Sequence, residues 1–176
     1  MNGMRDVRPR EIMFGKKWKH IEDAVEANLD SLVRFALFRV NDRVEAEDIV
    51  YEAVLRLLEN SSKVNDARCY LFRIVYNLCQ DHYRHKHPEF VTIDNIDVAQ
   101  TSEDDALNQA EIDRINCLLD DLPPNEREAV RMNVVDGLSF VEMSHILSVP
   151  QSTLKSRCYT GLRKLKQSLE KHNKNG

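Results

Sequence analysis

The stretch GLSFVEMSHILSVPQSTLKSRCYTGLRKLKQSL, residues 137–169, reads as a short helix, a tight turn and a longer helix. Ser139 and Glu142 stand three apart in the order of a capping box. The hydroxyl accepts from a free first-turn amide while the carboxylate reaches back to the cap amide, so a helix starts here. Met143, Ile146 and Leu147 give that helix an apolar stripe, and Ser148 and Val149 break the period. Pro150, with its fixed φ, suits the opening of a second helix. The grammar is helix-turn-helix.

The second helix separates its faces. Leu154, Cys158, Leu162, Leu165 and Leu169 form the expected apolar stripe, while Ser152, Ser156, Tyr159 and Arg163 recur on another side, flanked by Lys155, Arg157, Lys164 and Lys166. From Pro150 to the end there are seven Lys or Arg against one acid, a field that attracts phosphates. Short hydroxyls beside long cations suit a helix in a major groove, where the former approach base edges and the latter hold the backbone. A solvated helix with a basic tail would share the charge. The capped helix ahead of it is what favours DNA.

The 176 residues, 42% hydrophobic, suffice for one domain or two small ones. Five glycines, five prolines and long amphipathic runs indicate an all-α protein. No long apolar run or signal-peptide pattern occurs, so a cytoplasmic protein without membrane insertion is expected. Cys69, Cys79, Cys117 and Cys158 lack CxxC spacing and are expected to be reduced packing residues. The net charge of −4 hides an uneven distribution. Residues 89–121 carry one basic side chain against ten acids, whereas residues 66–88 carry four against two. Basic faces separated by acidic segments remain compatible with nucleic-acid binding.

Along the chain, residues 1–16 read as a basic N-terminal tail. A helix is expected over 17–40, burying Ile21, Val25, Leu29, Leu32 and Ala36, and another over 44–60, burying Ala46, Ile49 or Val50, Ala53 and Leu57 and exposing Glu45, Glu47, Asp48, Glu52 and Arg56. A third helix, 67–86, buries Ala67, Leu71, Ile74 and Leu78. Its Arg73, Asn77, Gln80 and Arg84 make one stripe, adjoined by Phe72, Tyr76 and Tyr83. Cations beside rings are what single-stranded nucleic acid needs, each stacked base contributing roughly 1–3 kcal/mol. Exposure is expected of Tyr76 and Tyr83, with Phe72 in the core. His82, His85 and His87 lack an obvious metal-ligand geometry, so no metal is expected. Residues 89–105 read as an acidic flexible linker. Helices over 106–122, with Leu107, Ala110, Ile115, Leu118 and Leu119 apolar, and over 125–135 then lead to the opening motif, giving a second domain over 106–172.

Three segments in this order resemble the sigma-70 family of bacterial transcription initiation factors, in its small extracytoplasmic-function (ECF) group. EAEDIVYEAVLRL (45–57) is similar to that family's core-polymerase-binding segment, YLFRIVYNLCQDHYR (70–84) to its promoter-melting and minus-ten-reading helix, and LPPNEREAVRMNVVDGLSFVEMSHILSVPQSTLKSR (122–157) to its minus-thirty-five-reading domain. The sequence departs from the family at Tyr70, where Trp is usual, at Ser144, where Ala is usual, at Ser148, where a turn glycine is common, and at Pro150, where a cap is frequent. Ser148 bears on the turn, because positive φ is costly without glycine.

The resemblance implies two helical domains, a region 2-like one over 17–88 and a region 4-like one over 106–172, and no enzyme activity, catalytic residue or cofactor. It implies that Glu45, Glu47, Asp48, Tyr51 and Glu52 face the clamp of the largest subunit of core RNA polymerase. Arg73, Tyr76, Asn77, Gln80, Tyr83 and Arg84, with the loop 60–66, would hold the melted minus-ten strand of promoter DNA. Ser152, Thr153, Lys155, Ser156, Arg157, Tyr159 and Arg163 would face the minus-thirty-five element. An anti-sigma factor is the expected inhibitor. The alternative is a dimeric helix-turn-helix repressor or activator on duplex DNA, which leaves the N-terminal half unexplained; a helical metal-dependent hydrolase ranks below it.

Overall fold

In a computed structural model, apolar positions three and four apart wind the described residues, 16–86 and 103–174, into seven α-helices. Side chains are described over 19–86 and 110–170. The helices are α1 (Lys16–Val40), α2 (Arg43–Asn60), α3 (Ala67–Lys86), α4 (Glu103–Leu119), α5 (Pro124–Val130), α6 (Phe140–Leu147) and α7 (Gln151–Lys174). A 3-10 turn, Ser61–Lys63, precedes α3, and a π-helical turn, Arg131–Val135, extends α5. No strand occurs among the described residues. The expected N-terminal tail and most of the acidic linker lie outside them.

The first domain packs α1 against α2 and α3. Its centre is Phe35 set edge-on to Phe72, centroids 5.1 Å apart at 86°, with Leu32, Leu57 and Leu71 fully buried around them. Asp42 caps α2 by accepting from the Glu45 amide, and Asn41 before it turns the chain at φ 53°. Asn tolerates this region better than most residues. In α2 the buried stripe is Ala46, Val50, Ala53 and Leu57, Val50 taking the inner place and Ile49 remaining half-buried. Leu29 departs from expectation: it is 43% exposed, because α1 turns its Phe35, Phe38 and Val40 inward and leaves Leu29 on a groove wall.

The second domain centres on α5, α6 and α7, with α7 packed against both others. The capping box at Ser139 is present, with the Glu142 amide donating to Ser139 Oγ and the Ser139 amide donating to Glu142 Oε2 at 2.8 Å. Ser148 ends α6 in the left-handed region at φ 55°. Three expectations need correction. The helix over 125–135 divides into α5 and the π turn, whose wider winding places Arg131 and Met132 both inside. In α4 the buried positions are Ile112 and Leu119, while Ala110 and Leu118 are exposed. In α7 Leu162 and Leu169 are exposed; Leu154, Cys158 and Gly161 are buried and Leu165 is half-buried. Successive steps of four drift off a 3.6-residue turn, and steps of four, three and four stay on it.

Candidate nucleic-acid interface

Helix α7 presents Ser152, Lys155, Ser156, Tyr159 and Arg163 to solvent, with Thr153 and Arg157 half-buried at the margins. Packing of Leu154 and Cys158 against the domain core turns the intervening positions outward. Tyr159 is 64% exposed, and its ring lies 6.4 Å from that of Phe140 on α6. The Lys155 ammonium stands 5.9 Å from the same Phe140 ring, so one aromatic flanks two members of the outward face. Lys164 is drawn off instead to Glu126 at 2.8 Å.

On α3, Arg73, Asn77 and Arg84 are exposed in one stripe, and Gln80 is half-buried. Arg84 also pairs with Asp81 at 2.7 Å. The two tyrosines correct the expectation of exposure: both are half-buried, and Phe72 is fully buried. Tyr76 lies 5.8 Å from the Arg39 guanidinium, and burial followed by the Glu128 charge pushes its pKa up to about 12. Tyr83 and Gln80 line a cavity of about 240 Å³ whose opposite wall is Asn116, Cys117, Arg127, Glu128 and Arg131. The aromatic stripe thus sits in the seam between the two helical domains.

On α2, Glu47, Asp48 and Tyr51 are exposed and Glu52 is half-exposed. Glu47 pairs with Arg43 and Glu52 with Arg56, each at 2.8 Å across one turn, pairs that cost little to break in water. Glu45 differs from the exposure expected of it. His82 Nε2 lies 2.5 Å from its Oε2 and Lys86 Nζ 2.8 Å from its Oε1, so it ties α2 to α3. His85 is turned to the Asp81 carbonyl at 2.7 Å. Among the described residues no group of three or more His, Cys, Asp or Glu is placed to hold a metal.

The last turn of α1 meets α5 and the end of the π turn over charge that the sequence alone does not single out. Arg39, in the last turn of α1, is 6% exposed and reaches Glu128 at 2.6 Å and Asp136 at 3.4 Å. Burial alone would lower its pKa; Glu128 and Asp136 outweigh that and raise it. Burial likewise opposes ionisation of Glu128, yet Arg39 and Arg131 hold its pKa below the ordinary value. For Asp136, burial wins over the more distant Arg39 and lifts the pKa to about 6.

The two helical domains coincide with two matched family models, Sigma-70 region 2 over residues 24–88 and Sigma-70 region 4 over residues 112–165. The chain belongs to the sigma-70 family, in its ECF group. The ECF RNA polymerase sigma factor SigW of Bacillus subtilis is 26% identical across 90% of this chain and 98% of the relative. The ECF RNA polymerase sigma factor EcfG of Rhodopseudomonas palustris is 29% identical across 78% of both. Among solved structures, the sigma factor RpoE in complex with the anti-sigma factor NepR from Bartonella quintana shares the fold at TM-score 0.64 and 20% identity, over 86% of this chain and 98% of that one. CnrH in complex with the cytosolic domain of CnrY matches at TM-score 0.63 and 18% identity, over 86% and 88%. Within this sigma-70 chain, α2 and α3 fall in region 2 and α6 and α7 in region 4, with α7 running past the matched span to Lys174. No helix among the described residues is long and apolar enough to cross a membrane.

Proposed function

We infer that this chain is an ECF-type sigma factor that binds core RNA polymerase and directs initiation at particular promoters. The observation that carries the reading is the pairing of region 2 and region 4 in one chain, the latter presenting a capped helix-turn-helix with an outward polar and cationic face. The chain supplies recognition, and catalysis belongs to the polymerase, which places its work in the cytoplasm.

Within that reading, α7 enters the major groove of the minus-thirty-five element. Ser152, Ser156, Tyr159 and Arg163 approach base edges, while Lys155 holds phosphate and Thr153 and Arg157 border the contact. The α3 stripe of Arg73, Asn77 and Arg84 follows the melted minus-ten strand, and Tyr76, Gln80 and Tyr83 join it once their seam parts. Glu47, Asp48, Tyr51 and Glu52 form the polymerase dock. Glu45 supports them from behind through His82 and Lys86. The domain limits that serve this reading are 17–88 and 106–172, with the intervening acidic segment as tether.

A partner that silences the chain also has a place to bind. A groove of about 980 Å³ runs between α1, α2, α4 and the π turn, walled by Leu29, Val33, Leu37, Tyr51, Ile112 and Val134 and rimmed by Asp30, Arg43 and Glu111. Its apolar wall and charged rim suit an amphipathic helix. Of the two solved structures with the similar fold, one holds a sigma factor with an anti-sigma factor and the other CnrH with the cytosolic domain of CnrY, and an anti-sigma factor is the occupant we propose.

Reconstitution with core polymerase and run-off transcription from a genomic fragment library tests the reading. Discrete promoter-dependent transcripts are expected. Sequence-specific binding to duplex DNA without polymerase, and no transcript with it, would favour a dimeric regulator instead.

A further inference from the structure

Three arginines of the first domain hold the second. Arg39 is the innermost: its Nη2 reaches Glu128 at 2.6 Å and Asp136 at 3.4 Å, and its Nη1 donates to the Phe35 carbonyl at 2.7 Å. The guanidinium lies 3.5 Å from the centroid of the Phe35 ring and 5.8 Å from that of Tyr76. Arg68 reaches Glu142 at 2.8 Å while also donating to Asn28 at 2.7 Å, and Arg34 donates to the Val135 carbonyl at 3.5 Å. Arg39 and Arg68 of the first domain thus reach carboxylates of the second, Glu128 being shared with Arg131 of its own domain at 3.7 Å, and α3 packs along α6 beside them.

What the seam covers gives the contact its meaning. Tyr76, Gln80 and Tyr83 are three of the six residues assigned to the minus-ten strand, and each is half-buried at this junction. A ring can stack on an unpaired base only when its face is free. The contacts that close the seam therefore half-bury three of the six residues assigned to the strand-binding face.

We propose that Arg39 with Glu128, seconded by Arg68 with Glu142, is an intramolecular latch that keeps the free chain closed over its own minus-ten-binding face, and that the latch opens when the two domains separate. The inference rests on the sigma-factor reading for what the face binds, but the latch itself is a property of the free chain. Parting the domains exposes an ion pair that is 6% and 20% exposed when closed, and removing one partner of such a pair is more disruptive than exchanging both. Reversal of one charge should therefore open the seam, and reversal of both should shut it again.

The test uses the full chain labelled on α2 and on α7, with the interdomain distance distribution read by spin-label or fluorescence spectroscopy. Arg39→Glu and Glu128→Arg alone should each lengthen the distance, and the double reversal should restore it. Arg68→Glu, at a more solvated position, gives a second opening variant should Arg39→Glu fail to reach wild-type helix content. Affinity for a fluorescein-labelled mixed-sequence DNA single strand is measured in parallel. Each single reversal should bind about tenfold tighter than wild type, as expected if the closed form outnumbers the open one by about ten to one, and the double reversal should not. Because Arg39→Glu removes positive charge, its gain cannot be simple electrostatics. Unchanged distances in all single reversals overturn the latch. Longer distances without tighter strand binding overturn the claim that the latch hides a nucleic-acid face. Capture of core polymerase by wild type is scored separately: its loss would strike the sigma-factor reading, and its retention beside unchanged distances would strike the latch alone.

Discussion

Gly161 on α7 faces Val130 on α5 so closely that a Cβ added to the glycine would stand 2.8 Å from Val130 Cγ2 and 3.4 Å from the Glu126 carbonyl. This approach lets the recognition helix lie tight on its neighbour, which fixes how far its outward face stands from the domain core. Gly161→Ala forces the Val130 side chain or one of the two helices to move, and overpacking of this kind costs about 1–3 kcal/mol even though alanine is the better helix former. Urea denaturation should show the loss. A variant as stable as wild type would mean that α5 and α7 separate without cost.

Ser148 makes the opposite case. It closes α6 with φ 55° and ψ 38°, where an L side chain is strained and glycine is not. Ser148→Gly should raise stability by about 1 kcal/mol, less whatever glycine gains in freedom when unfolded. Thermal unfolding reads the difference, and the recognition-helix contacts to DNA should be unaltered.

These two residues also mark how far the sequence could be read. The capping box and the α2 stripe are local patterns, each visible within a dozen residues, and together with the order of three motifs along the chain they lead to the right fold class. Ser148 could be singled out because the turn it occupies usually needs glycine. Gly161 could not, since a glycine inside a helical pattern carries no sign of the neighbour that demands it. Arg39 lay deeper still: its partners are 89 and 97 residues away, and nothing in the local sequence separates an interdomain arginine from one more solvated cation. Tyr76 and Tyr83 depart from the expected exposure for the same reason, because part of the surface that covers them belongs to the other domain. Their helix phase was right and their exposure was not.

Asp136 gives the chain an acid-side dependence with a definite sign. Folded, its carboxyl titrates at about 6 against an ordinary 3.8, burial being the main cause and Glu128 adding to it against Arg39. Between those pH values the folded chain binds more protons than the unfolded one, so this group's contribution weakens as pH rises and its penalty is complete above about 6. Glu128, whose pKa is depressed, works the other way, but only as pH falls below the ordinary carboxylate range. Wild type should therefore gain stability from pH 7 to pH 5 through Asp136, and Asp136→Asn should remove that gain. At neutral pH the variant should be more stable by about 1 kcal/mol, less than the shift alone implies because Arg39 loses one of its two carboxylates. Parallel slopes for the two proteins over this interval would rule out Asp136 as the titrating group.

The proposed polymerase dock predicts a division within one helix. Asp48→Lys with Glu52→Lys reverses charges on the outer face of α2 and should weaken core binding at least tenfold while leaving stability within about 1 kcal/mol, as surface substitutions do. Glu45→Lys should instead place a cation against His82 and Lys86 and loosen α2 from α3, which helix content and thermal unfolding would register before polymerase affinity did. Equal core affinity for wild type and the double reversal would remove Asp48 and Glu52 from the dock.

The recognition helix should separate two kinds of contact. Lys155 is exposed beside the Phe140 ring, at the edge of the face formed by Ser152, Ser156, Tyr159 and Arg163. If it holds phosphate, Lys155→Ala lowers affinity almost evenly across upstream-element sequences and flattens the slope of log affinity against log salt by about one. Arg163→Ala behaves differently if that side chain reads a base: roughly 1–3 kcal/mol of discrimination disappears at a single base pair, and altered sites bind nearly as well as the original. Selection of binding sequences from a randomised upstream element, run on holoenzyme with each variant, distinguishes the two patterns. Identical selected sequences for wild type and for alanine variants at Ser152, Ser156, Tyr159 and Arg163 would show that another face of α7 meets the groove. The leucines at 162 and 169, exposed where a buried stripe was expected, would then be the first place to look.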